Sequence, residues 1–166
     1  TWAALEHQHK QFAAAMARDV PPGTRVWGWK EPQAIYTLPF LHALYPRLHV
    51  IHCVRDGRDV AMSNLNSSSL RTAQKYQLHY VQTITGQQFS ATQLRMPAYS
   101  HAAARVWAAV NVNAKSWLTQ QGYAAQGRYL VSRLEDYCTP ETLRASIRKL
   151  LAHVGVAAEE STVERA

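Results

Sequence analysis

Arg55 and Ser63 have the residue types and the spacing to hold an anion between them. Arg55 follows Leu48-His49-Val50-Ile51-His52-Cys53-Val54, a nearly continuous apolar run that suits a central parallel strand covered on both faces. Asp56-Gly57-Arg58-Asp59 comes next, and then Val60, Ala61, Met62 and Leu65. Asp56 is a good helix N-cap, and Asp59 three residues later is an acidic variant of the capping box. A helix starting at Gly57 would offer unpaired peptide N–H groups and the positive end of its dipole, and both favour an anion. Arg55 adds a guanidinium that can grip phosphate with two hydrogen bonds. Ser63 comes seven residues after Asp56, so it returns to the face above the cap two turns on. A guanidinium below and a hydroxyl above could clamp one phosphate. A plainer arrangement stays open, in which Arg55 pairs with Asp56 or Asp59 and Ser63 is a small helix residue.

These residues need elements to position them. Trp2, Leu5, His9, Phe12 and Met16 fall at three- and four-residue steps and predict an amphipathic helix ending near Arg18, before Pro21-Pro22-Gly23. Arg25-Val26-Trp27-Gly28-Trp29-Lys30 reads as a short β-strand. A helix over 33–44 carries Ile35, Leu38, Leu41 and Leu44, and Pro39 should kink or split it. Residues 66–100 are polar and carry no clear pattern. A strong helix returns over 101–121, a strand at Tyr129-Leu130-Val131-Ser132-Arg133, and a last helix capped by Thr139 and ended by Gly155. The tail from Ala157 is expected to fray.

Helices and strands that alternate in this way predict an α/β fold, a parallel sheet flanked by helices. Ligands bind such sheets at the carboxyl ends of the strands. Lys30-Glu31, Arg55-Asp56 and Glu135-Asp136 would each sit at such an end and share one rim. His49 and His52 point to opposite strand faces, so they cannot ligate a metal together, and both read as buried, hydrogen-bonded histidines. Trp2, Trp107 and Trp117 read as core.

Composition narrows the function classes. The chain has 166 residues, 47% apolar and 17% charged, enough to bury a core. No stretch approaches the ~20 apolar residues of a membrane span. No basic-then-apolar leader stands at the start, and the use of cysteine makes a reducing compartment the default, so a cytoplasmic protein is expected. Cys53 and Cys138 have neither a metal nor a CxxC spacing, so neither a metal site nor a disulfide scaffold is expected. The net charge of +7 favours an anionic partner. Nucleic acid is not expected, because the Lys and Arg residues are scattered and form no basic run.

Three blocks together resemble the sulfotransferase family, in particular the bacterial branch with a GWKxP element followed by an RDGRDVAxS element. They are Trp27-Gly28-Trp29-Lys30-Glu31-Pro32, then His49 through Ser63, then Tyr129 through Asp136. Their order and spacing agree with the family over roughly residues 25–155, and Trp107 also resembles it. The resemblance implies a P-loop-NTPase-like sulfotransferase fold. It implies transfer of a sulfuryl group from 3′-phosphoadenosine 5′-phosphosulfate (PAPS), without a metal, to a hydroxyl or amine of a small-molecule or carbohydrate acceptor. The family residues matching Arg55 and Ser63 bind the 3′-phosphate of the donor.

Lys30 would stabilise the negative charge that grows on the leaving phosphate. Cytosolic relatives carry a histidine base two residues after a comparable lysine; here Glu31-Pro32 follow Lys30. Glu31 could take the acceptor proton, as a glutamate does in other branches, or it is a first-turn acid held by the helix dipole. Glu135 and Asp136 match the family's acidic pair. Leu134 stands where an adenine-holding aromatic is usual, so Glu135 reads as structural, bonding backbone amides near the rim.

The family's phosphosulfate loop, Gly/Ser/Thr-rich and placed after the first strand, has no counterpart here, nor does a Walker sequence. The expectation is therefore one partial sulfotransferase domain over 1–166, incomplete at its N-terminus, with 66–100 as a substrate-side insert. Tyr76, His79 and Tyr80 in that insert would suit a polar acceptor such as a sugar. The alternative is a non-catalytic relative that keeps nucleotide or anion binding.

Overall fold

The computed structural model describes residues 2–63 and 98–165. Helix α1 (Trp2–Ala17) opens the chain. A 3₁₀ turn (Pro32–Tyr36) leads into α2 (Leu38–Leu44), then β1 (Val50–Val54) and α3 (Gly57–Ser63). Further along come α4 (Ala98–Gln120), β2 (Tyr129–Arg133), a 3₁₀ turn (Leu134–Tyr137), α5 (Pro140–His153) and α6 (Glu160–Arg165). The fold is α/β, as expected. Most of the insert over 66–100 lies outside the described residues.

β1 and β2 pair in parallel, with Val50 opposite Tyr129 and Val54 opposite Arg133. They form a two-stranded sheet among the described residues. The strand expected at Arg25–Lys30 is absent. That segment makes no ladder, and its Val26 and Trp27 are 50% and 41% exposed. Its indoles pack instead of pairing: Trp29 lies 5.6 Å from Tyr45 and 5.6 Å from Trp27, centroid to centroid. Among the described residues, β1 is not covered on both faces as its apolar run suggests. His52 is buried while the next residue, Cys53, on the opposite face, is exposed.

The core lies between α2, α4 and the turn after α4. Leu38, Ala114, Leu118 and Tyr123 are buried there, with Ile35, Val50, Trp117 and Tyr129 packed against them. Tyr123 is fully buried, and its hydroxyl pairs with His42 Nδ1 at 2.8 Å. Gly122 ends α4 with φ at +75°, a conformation that suits glycine. Pro39 does split the predicted helix: it falls in the first turn of α2, where a missing N–H costs nothing. Thr139 is the N-cap residue of α5, but its hydroxyl bonds Thr142 Oγ1 at 2.7 Å and caps no backbone N–H.

The tail does not fray as expected. It forms α6, whose Val163 is 4% exposed. The Glu160 carboxylate joins Arg144 and also Arg148, the latter at 2.6 Å. Arg144 and Arg148 stand one turn apart on α5, so a single acid reaches both.

Candidate functional site

The β1–β2 register sets the ends of the two strands side by side, and the residues just beyond them meet. The Asp56 backbone N–H donates to Glu135 Oε1 at 2.6 Å. Glu135 thus bonds a backbone amide at the rim, as its sequence position suggested. That bond is the first cause holding the Glu135 carboxyl below its ordinary value. Glu135 Oε2 is buried without a hydrogen-bond partner among the described residues, and Arg133 Nε stands 3.7 Å away.

Asp56 caps α3. Its Oδ1 accepts the Arg58 N–H at 2.8 Å, and the Arg58 guanidinium returns to the same carboxylate at 2.6 Å. These bonds, side chain first, hold Asp56 far below the usual carboxylate range. The capping box does not close through Asp59, because Glu135 already takes the Asp56 N–H. Asp59 Oδ2 lies 3.6 Å from Arg55 Nη2, an exposed pairing of the plainer kind. The Arg55 side chain keeps 44% of its exposure. Ser63 is the last described residue of α3, and its side chain lies outside what is described.

α4 braces this rim. The Asn111 Nδ2 donates to the Trp107 carbonyl at 2.6 Å, which leaves Asn111 Oδ1 to accept from His52 Nε2 at 2.8 Å. His52 Nδ1 then accepts from the Tyr129 hydroxyl at 3.0 Å. His52 is buried and fully bonded, and burial pushes its pKa down. His49 differs from expectation: it is exposed at the strand entrance, 5.4 Å from the His153 ring. Its position just ahead of β1 leaves it outside the paired strand.

Trp107 rests on α3 at Gly57. A Cβ on Gly57 would lie 2.7 Å from Trp107 Cε3 and 2.9 Å from Cδ2. Sequence reading missed this contact. The available signal was a glycine at the first helical position, where most residues serve better.

The strand that would bring Lys30 and Glu31 to the rim does not form, so that argument falls with the strand. Lys30 is exposed in the irregular stretch that follows Trp29. Glu31 starts the 3₁₀ turn, its carbonyl accepting the Ala34 N–H at 3.1 Å. Its side chain lines a cleft with His9, Phe12, Trp29, Ala34, Thr37 and Leu41. From the sequence, His9 is only one step of a helix face. The signal for it was being the one polar residue in the stripe Trp2, Leu5, His9, Phe12, Met16.

Among the described residues no cluster of His, Cys, Asp and Glu is arranged to hold a metal ion. No helix among them is long and apolar enough to cross a membrane. A family model described as "Sulfotransferase family" matches residues 1–160. No curated protein and no solved structure matches the chain.

Proposed function

The chain belongs to the sulfotransferase family, and from that premise we propose that it moves a sulfuryl group from PAPS to a hydroxyl or amine of a small-molecule or carbohydrate acceptor. The observation that carries the reading is the family match over residues 1–160, nearly the whole chain. A function of the sulfotransferase type follows from it; the donor, the acceptor and the residue roles are our reading.

The donor supplies an activated sulfuryl group and a 3′-phosphate that ordinary adenine nucleotides lack. Arg55 and Ser63 would hold that phosphate. What supports Arg55 is its place: half exposed, at the carboxyl end of β1, with an ion-pair contact to Asp59 as long as 3.6 Å among the described residues. A guanidinium so weakly engaged can turn to a phosphate at little cost. The helix amides are less free than the sequence suggested, since Asp56 takes the Arg58 N–H. Recognition would therefore rest on the guanidinium rather than on the helix terminus.

Lys30 would stabilise negative charge on the leaving phosphate, and Glu31 would accept the acceptor's proton. The exposure of Lys30 and the place of Glu31 in a cleft support these roles. The test is calorimetry with 3′-phosphoadenosine 5′-phosphate and adenosine 5′-phosphate, followed by transfer from labelled donor to carbohydrate, phenol and amine acceptors. Preference for the bisphosphate together with transfer supports the reading. Preference without transfer to any acceptor favours the non-catalytic nucleotide-binding alternative. Equal binding of the two nucleotides would overturn the 3′-phosphate site.

A further inference from the structure

Arg55 stands between two fastened points of the backbone. Val54, the residue before it, is paired with Arg133 in the parallel ladder. Asp56, the residue after it, gives its backbone N–H to Glu135 Oε1 at 2.6 Å. Arg55 itself lies in neither element, since β1 ends at Val54 and α3 starts at Gly57. Its side chain is held only loosely, by Asp59 at 3.6 Å. A long side chain of this kind has many rotamers. What the fold can set is the point and the direction from which it leaves the chain.

The Glu135 bond differs from a local cap. In a capping box the N-cap N–H is taken by the side chain three residues on, which here is Asp59. Such a bond would tie Asp56 only to its own helix. Glu135 ties it instead to the 3₁₀ turn after β2, 79 positions away. A bond to an ionised carboxylate is about twice as strong as one between neutral groups. Arg133 Nε, 3.7 Å from Glu135 Oε2, favours the ionised form. Yet a negative charge next to Arg55 works against an anionic ligand. The bond and the charge of Glu135 therefore act on phosphate affinity with opposite signs.

We propose that Glu135 is a positioning residue for Arg55. Through the Asp56 amide it directs the guanidinium from the rim, and so sets the preference of the chain for a nucleotide with a 3′-phosphate. Glu135 itself does not touch the ligand. This deepens the reading given under the proposed function and rests on its assignment of Arg55 to the 3′-phosphate.

The test is calorimetry on the full chain with 3′-phosphoadenosine 5′-phosphate and adenosine 5′-phosphate. Glu135→Gln keeps an acceptor for the Asp56 N–H but loses the charge, and Glu135→Ala loses both. Glu135→Ala should weaken the bisphosphate about tenfold, the scale of one hydrogen bond to a charged group, and leave the monophosphate within about threefold. Glu135→Gln should stay within about threefold for both nucleotides. Tighter bisphosphate binding in both variants would mean that the charge outweighs the bond, and would overturn the proposal. Equal loss of both nucleotides in Glu135→Ala would make Glu135 a prop of the fold and overturn it too. Where Glu135→Ala does not fold, Glu135→Asp takes its place: it keeps the charge, falls one methylene short of the amide, and should show the same selective loss. An unchanged preference in the variant that folds would overturn the positioning role and leave the 3′-phosphate site of Arg55 standing. Equal binding of the two nucleotides by the unaltered chain would end both.

Discussion

The Glu135 carboxylate holds the backbone N–H of Asp56 at 2.6 Å, a bond between residues 79 positions apart. It fastens the residue after Arg55 to the turn that follows β2. Asp56 in turn caps α3 and holds Arg58. One acid from the far end of the chain therefore fixes the backbone from which Arg55 projects.

The first expected outcome is a change in acid stability. Glu135 and Asp56 both titrate below their ordinary values in the folded chain. A group depressed by folding adds stability in full above its unfolded pKa and loses it as pH falls through its folded value. The melting temperature should therefore fall on acidification below about pH 4, the ordinary carboxylate range. Glu135→Gln should lower it at pH 7 and flatten the acid limb. Thermal melts from pH 7 to pH 2 check this, and an unchanged acid limb in Glu135→Gln would count against it.

Gly57→Ala should destabilise the chain, although alanine is the better helix former. The new Cβ would stand 2.7 Å from the Trp107 ring, closer than real contacts allow. Overpacking of this kind costs about 1–3 kcal/mol. Propensity alone would give a gain of about 1 kcal/mol. Denaturant unfolding decides between the two signs. The double variant Gly57→Ala/Trp107→Ala should lose the penalty of the alanine, because its ring is gone.

Arg55 and Asp59 should act in opposite directions on nucleotide affinity. Arg55→Ala should weaken 3′-phosphoadenosine 5′-phosphate by about 1.5–3 kcal/mol, the scale of charged hydrogen bonds. Adenosine 5′-phosphate should hardly change. Asp59→Asn releases the guanidinium from its 3.6 Å partner and removes a negative charge from beside the phosphate. It should tighten the bisphosphate by up to about 1 kcal/mol. Calorimetry reads both, and weaker binding in Asp59→Asn would argue that Asp59 orients Arg55 for the ligand.

Lys30 and Glu31 are separated by kinetics. Lys30→Ala should lower turnover with little change in donor affinity, as expected for a group that acts on developing charge. Glu31→Gln should lower turnover roughly 10²–10⁴-fold and remove the acidic limb of the pH–rate profile. Unchanged turnover in Glu31→Gln would move the base elsewhere.

The sequence carried the rim far better than it carried Lys30-Glu31. β1, β2 and α3 were legible because each has a local cause: a β-branched run, a second run of the same kind, and a capping aspartate. Glu135 was legible as a binder of backbone amides, but its partner was not, since the strand register that joins positions 56 and 135 is a property of pairing. Arg25–Lys30 misled because β-branched and aromatic residues favour strands only where a neighbour offers hydrogen bonds. Here Trp27 and Trp29 are taken up by other rings. α6 was missed because nothing local marks it: Glu160 and Val163 are held by contacts reaching back to α5 and the interior. The cleft at His9 was out of reach for a similar reason, since its walls come from α1 and from 29–41.

The line of contacts from His52 through Asn111 and Trp107 to Gly57 has a consequence for how the chain opens. It couples β1, α4 and α3, so none of them can separate without breaking a buried bond or a close packing contact. Their amide protons should exchange with deuterated water slowly and as one cooperative unit, at the rate of the largest opening the chain undergoes. The backbone of 25–30, which makes no ladder, should exchange almost at once. Arg55 then projects from the slowest-exchanging unit, and Lys30 from one of the fastest. The two charges proposed to meet one donor would thus be presented differently, the first by a rigid frame and the second by a segment that settles when ligand arrives.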